Sequence, residues 1–121
     1  MGAIRPETLA ERLEAEDVFV LDLRPADEFE AYHIDGSYNA PVYHELRADG
    51  EALDPYLDDL PRDSEIVTVC RVGACARDAT TALSDRGFES VTLEGGIRNW
   101  RGFQENSLTY RLKSFLRSLV S

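Results

Sequence analysis

Residues 66–77 read Ile66-Val67-Thr68-Val69-Cys70-Arg71-Val72-Gly73-Ala74-Cys75-Ala76-Arg77, and this stretch decides the fold. Ile66 to Val69 are apolar or β-branched without alternation, the pattern of a strand covered on both faces, as strands of parallel sheets are. From Arg77 to Arg86, Ala79, Ala82 and Leu83 recur at helical spacing and predict a helix. Cys70 therefore stands where a buried strand gives way to a loop and then a helix. Backbone N–H groups of such a loop form an anion-binding nest, and the helix behind it adds the positive end of its dipole. Both favour thiolate over thiol, and thiolate is the nucleophilic form. Taken by itself, a cysteine here reads as a small hydrophobe that ends a core strand.

Working outward, the same alternation of strand and helix continues in both directions. Pro6 to Glu14 places proline in a first turn and sets Leu9 and Leu13 four apart, which predicts an amphipathic helix. Val18-Phe19-Val20-Leu21-Asp22-Leu23 reads as a second buried strand, and Pro25 to Tyr32 opens with proline and acids as a short helix does. A brief strand is expected within Ser37 to Pro41. Residues 42–63 are polar, with Pro55 and Pro61, and are expected to hold one or two short helical pieces. Glu89 to Leu93 predicts a further strand, and Gly95-Gly96 leads into a short helix containing Trp100. Strands alternating with helices at these intervals imply parallel pairing through right-handed crossovers.

At 121 residues the chain is one domain. No apolar run approaches the roughly 20 residues that span a bilayer, and Met1 to Glu7 lacks the apolar region of a signal peptide; the expected location is cytoplasmic. A formal net charge of −10, from 23 acidic and 13 basic residues, argues against nucleic acid as a partner. The two cysteines, five apart in a chain read as cytoplasmic, suggest free thiols or a redox pair rather than a structural disulfide. No metal is expected, because only His33 and His44 accompany them and neither falls at zinc-ligand spacing.

The last residues stand apart. From Asn106 to Ser121, Leu108, Leu112, Phe115, Leu116 and Leu119 fall on one helical face, and the charges, Arg111, Lys113 and Arg117, are all positive. The chain divides accordingly into a domain over residues 1–104 and an amphipathic helix over 105–121. That helix is expected to dock on its own acidic domain, with a dimer contact or an interfacial membrane anchor as alternatives.

Three separated blocks, in order, resemble the single-domain rhodaneses, a sulfurtransferase family. The first runs Val20-Leu21-Asp22-Leu23-Arg24-Pro25-Ala26-Asp27-Glu28-Phe29 and on through His33-Ile34-Asp35-Gly36-Ser37-Tyr38-Asn39-Ala40-Pro41. The second is the Cys70 loop, and the third is Leu93-Glu94-Gly95-Gly96-Ile97-Arg98-Asn99-Trp100. The resemblance implies an α/β fold with a central parallel sheet of about five strands and helices on both faces, the C-terminal helix being an addition. It implies a nucleophile at Cys70 and a sulfur-binding loop of Arg71, Val72, Gly73, Ala74, Cys75 and Ala76, with Asp22, Arg24 and Arg77 in support. Asp22 and Arg24, at the carboxyl end of a strand, read equally as a solvated ion pair. Sulfane sulfur would pass from thiosulfate or another persulfide, through a Cys70 persulfide, to cyanide, a thiol or a protein acceptor, with no cofactor. Cys75 departs from the family, which commonly has threonine, serine or arginine there, and a thiol is a weaker hydrogen-bond donor. Two alternatives stay open: a sulfur carrier that serves a protein partner, and a thiol-redox protein using Cys70 and Cys75. A phosphatase-like Cys-x5-Arg loop needs arginine at 76, where this chain has alanine.

Overall fold

The computed structural model describes residues 2–43 and 51–106. Five parallel strands form one sheet: β1 (Gly2–Ile4), β2 (Val18–Asp22), β3 (Tyr38–Asn39), β4 (Glu65–Val69) and β5 (Ser90–Leu93). Their order in the sheet is β1-β5-β4-β2-β3, so the strand that delivers Cys70 is the central one. All four pairings are parallel, and the register sets Leu21 opposite Thr68 and Asp22 opposite Val69. The carboxyl ends of β2 and β4 therefore finish side by side.

The side-chain period of two explains why β4 shows no polar face. Ile66 and Cys70 point into one apolar cluster and Val67 and Val69 into the other, and a strand with a core on each side has no face left for water. On the first side lie α3 (Ala74–Asp85) and a 3-10 helix (Asp54–Asp59), contributing Ala76, Ala79, Leu83 and neighbours of Leu53 and Leu60 to the cluster around Leu21 and Ile66. On the second lie α1 (Pro6–Glu14) and α4 (96–106), which bring Leu9, Ile97 and Trp100 against Val20, Val67 and Leu93. A shorter helix, α2 (Ala26–Ala31), connects β2 to β3. The five-stranded parallel sheet with helices on both faces is the architecture expected from the sequence.

The threonine hydroxyls inside the core are paired. The Thr68, Thr80 and Thr92 hydroxyls form a chain with 2.8 Å links, and Thr68 Oγ1 also donates to the Ala76 carbonyl at 3.0 Å. This buried network ties the first turn of α3 to β4 and β5. Without a partner, each hydroxyl would cost about 1–3 kcal/mol to bury.

Several boundaries differ from the sequence expectation. Helix α3 begins at Ala74 rather than Arg77, because Gly73 at φ +105° supplies the turn into it without any side-chain cap. Strand β1 was not expected. It is three residues long, only Ile4 is buried, and its reason for being a strand is the edge of β5. The short strand, the early helix and the last strand fall within a residue or two of their expected limits, as element ends do. Helix α4 runs through the domain boundary placed at 104. Residues 107–121, with most of the predicted terminal helix, and residues 44–50, with His44, lie outside the described residues. Among those described, no helix is long and apolar enough to cross a membrane.

Candidate functional site

Cys70 follows the last residue of the central strand and is 1% exposed. Its Sγ accepts a hydrogen bond from the backbone N–H of Gly73 at 3.0 Å. The chain reverses within three residues to make that contact, which is why position 73 adopts a left-handed φ that glycine takes without strain. The first backbone bond within α3 runs from the Arg77 N–H to the Gly73 carbonyl at 3.2 Å. The sulfur therefore sits at the N-terminus of α3, facing the positive end of its dipole.

A second helix start fixes the loop from behind. The Ile97 N–H donates to the Cys70 carbonyl at 2.8 Å and the Arg98 N–H to the Arg71 carbonyl at 3.3 Å. In planar trans peptides, a carbonyl held toward α4 turns the following N–H away from it, here those of Arg71 and Val72. Close approach of the two backbones requires Gly96: a Cβ there would lie 2.5 Å from the Cys70 carbonyl oxygen and 2.6 Å from the Arg71 carbonyl carbon. The Gly95-Gly96 pair thus does more than turn the chain. It lets α4 press against the cysteine loop.

Asp22 and Arg24 are not solvated. Asp22 is 1% and Arg24 4% exposed, so the reading as a solvated pair is corrected. Arg24 Nη2 and Nε reach the Asp22 carboxylate at 2.8 and 3.0 Å, and the Arg24 backbone N–H donates to the same group at 3.0 Å. Arg24 Nη2 also donates to the Tyr32 carbonyl at 2.6 Å, while Asn39 Nδ2 donates to the Asp22 and Arg24 carbonyls at 3.0 and 2.9 Å. The pair clasps the chain where it leaves β2 and binds in the segments before and at β3. Leu23 N–H then donates to the Val69 carbonyl at 2.9 Å, which passes this rigidity to the residue before Cys70.

The remaining expected site residues divide. Val72 is 58% exposed on the outer rim of the loop and Ala74 is exposed, while Ala76 is buried beneath it. Cys75 is buried in the same apolar cluster as Cys70, its Sγ directed at the Tyr43 carbonyl at 3.8 Å. Both cysteines are free thiols. The side chain of Arg77 is exposed and lines a different groove, beside Gly2 and Thr81, so the structure does not bring its guanidinium to the loop. His33 makes a local contact, with Nδ1 donating to the Phe29 carbonyl at 2.7 Å.

Arg71 is engaged. Its Nε donates to Glu28 Oε1 at 2.7 Å, its Nη2 pairs with the other oxygen, and its guanidinium lies 4.7 Å from the Tyr43 ring centroid. The hydrogen bonds to Glu28 push its pKa up, so the group is a permanent cation. Glu28 falls within the first sequence block, which by itself implies no role for it. Its partner lies 43 residues away, and only the fold reveals the contact. Sequence reasoning also missed Asn39, whose amide ties β3 to the Asp22 and Arg24 carbonyls.

Residues 5–102 match the family model described as a rhodanese-like domain. The chain is 36% identical over 101 residues to the HTH-type transcriptional regulator Rv0324 of Mycobacterium tuberculosis, covering 82% of this chain but only 41% of that protein. It is 30% identical over 93 residues to the thiosulfate sulfurtransferase GlpE of Shewanella oneidensis, covering 76% of this chain and 84% of that one. A solved rhodanese-related protein from Thermoplasma volcanium superposes with a TM-score of 0.69 at 29% identity, over 84% of this chain and 92% of the other.

Proposed function

Since the chain belongs to the rhodanese-like domain family, we propose that it is a sulfurtransferase that moves sulfane sulfur through a persulfide on Cys70. The Cys70 thiolate attacks the outer sulfur of thiosulfate, the S–S bond breaks, and sulfite leaves with the electron pair; another persulfide can serve as donor in the same way. A thiophilic acceptor, cyanide or a thiol, then attacks the outer sulfur and releases Cys70 as thiolate. Arg71, Val72, Gly73, Ala74, Cys75 and Ala76 form the loop around the persulfide, and Asp22 and Arg24 hold it in place. The Arg77 backbone, through its bond to Gly73, closes the helix behind it. No cofactor enters either step, and the reaction is assigned to the cytoplasm.

The observation that carries this reading is the Gly73 N–H aimed at Cys70 Sγ from the start of α3. Fixed amide dipoles hold a negative sulfur without the reorganisation that water requires. Cys75 Sγ faces the Tyr43 carbonyl rather than a loop N–H, which favours transfer over a dithiol reaction. Incubation with thiosulfate should add one sulfur to the protein by intact mass, and cyanide should remove it. A mass unchanged by thiosulfate and by persulfide donors alike overturns the proposal.

Glu28 sets how well thiosulfate competes for the loop. Glu28 occupies the Nε and Nη2 edge of Arg71 that would otherwise grip an oxyanion bidentately, and the carboxylate also repels a dianion at the loop mouth. Water screens an exposed pair of this kind, so the carboxylate is a weak competitor rather than a lock. Glu28→Gln should therefore lower KM for thiosulfate by roughly twofold to fivefold, with kcat little changed. Steady-state kinetics at low salt check this, and an unchanged or raised KM would place Arg71 outside donor binding.

A further inference from the structure

Beside the Cys70 loop lies a groove of about 460 Å3 whose lining includes four arginines, Arg24, Arg71, Arg98 and Arg101, and two glutamates, Glu28 and Glu105. Four of the 13 basic residues thus gather in one concavity of a chain whose formal net charge is −10. Arg24 is turned onto Asp22, and Arg71 onto Glu28. The other two differ. Arg98 is exposed and has no side-chain partner among the described residues, and Arg101 lies over the Tyr32 ring at 4.7 Å. They stand three apart on α4, so they share a helix face, and that helix is the one whose N-terminus is bonded to the cysteine loop.

We propose that this groove is the acceptor subsite and that it selects small thiols carrying carboxylates. The inference rests on the sulfur-transfer reading and adds to it the chemical class of the acceptor. The groove has the volume of small-molecule sites, which run roughly 300–1,000 Å3, and is larger than a lone oxyanion needs. Guanidinium forks match carboxylates bidentately. Val72, the large apolar side chain most exposed among the described residues, and Ile97 line the same groove and give a carbon skeleton a surface to lie on. A carboxylate held by Arg98 and Arg101 leaves the thiol end of a short molecule at the loop. There the acceptor thiolate attacks the outer sulfur of Cys70–S–SH, the S–S bond breaks, Cys70 departs as thiolate, and the acceptor leaves as R–S–SH. No oxidant or reductant is consumed.

The test loads the protein with sulfur, verifies the load by mass, and follows a single discharge by mercaptosuccinate, 2-mercaptoethanol or cysteamine, which carry two, no and one opposite charge. Each is compared in wild type and in the double variant Arg98→Glu/Arg101→Glu, so that the intrinsic nucleophilicity of each thiol cancels in the ratio. The variant should slow mercaptosuccinate by roughly tenfold or more at low salt and speed cysteamine, and added salt should shrink both effects. Equal ratios for the three thiols overturn the subsite. A second arm needs no sulfur chemistry: succinate titrated into resting protein should shift the Arg98 and Arg101 Nε–H signals in NMR spectra. Absence of those shifts overturns the groove as a carboxylate site. Failure to load with sulfur, by contrast, strikes the transferase reading and leaves the succinate arm to decide the groove.

Discussion

Cys70→Ser should abolish sulfur loading completely while leaving the protein folded. The sulfur is buried, receives the Gly73 N–H at 3.0 Å, and contributes to the apolar cluster around Leu21 and Ile66. A serine hydroxyl keeps the acceptor for that N–H but is smaller and more polar, which costs about 1–2 kcal/mol at such a site. For a domain of this size the melting temperature should fall by roughly 3–8 °C. The chemical effect is of another order, because an alcohol forms no persulfide and cannot be discharged by cyanide. Cys75→Ser is the comparison. Its thiol faces the Tyr43 carbonyl, so that variant should still gain one sulfur from thiosulfate. Intact mass and a thermal melt on the two proteins decide the matter. Sulfur carried by Cys70→Ser, or lost in the folded Cys75→Ser, would assign the transfer to the wrong cysteine.

The contrast between these cysteines marks how far the sequence could be read. The run Ile66 to Val69 announced a strand buried on both faces, and a strand with two cores is found there. Cys70 was legible because the strand-loop-helix unit is local: every element of it lies within about a dozen residues. Helix α3 starts three residues before the expected Arg77: Ala74, Cys75 and Ala76 follow no polar cap, and the start is set by the left-handed conformation of Gly73. Strand β1 escaped because three residues carry no periodicity and its partner, β5, is some 90 positions away in the chain. Burial of the Asp22–Arg24 pair was undecidable from a spacing of two, since the groups that shelter and satisfy it come from Tyr32 and Asn39. The same holds for Glu28 on Arg71 and for Gly96 under the Cys70 carbonyl. The sequence marks such residues as special, and tertiary contact says for what.

Arg24→Met should be the most destabilising of the changes considered, by about 3–5 kcal/mol, because it leaves the Asp22 carboxylate buried without its partner. That is a large share of the roughly 5–15 kcal/mol that holds a domain together. The loss is structural first, since Arg24 also satisfies the Tyr32 carbonyl. It reaches the site through Leu23, whose N–H is bonded to the Val69 carbonyl one residue before Cys70. The double variant Asp22→Asn/Arg24→Met separates the charge from the clasp. Asparagine keeps an oxygen for the backbone N–H of residue 24 and removes the orphaned charge, so much of the lost stability should return. Sulfur loading should recover less, because the bond from Nη2 to the Tyr32 carbonyl is still missing and the turn after β2 stays loose. Urea unfolding of the three proteins measures the first effect, and the rate of mass gain with thiosulfate measures the second. If Arg24→Met costs less than about 1 kcal/mol, as an exposed pair would, then water reaches Asp22 and the clasp is not what stiffens the loop. Full recovery of loading in the double variant would instead mean that charge, rather than the Tyr32 tie, governs the position of Cys70.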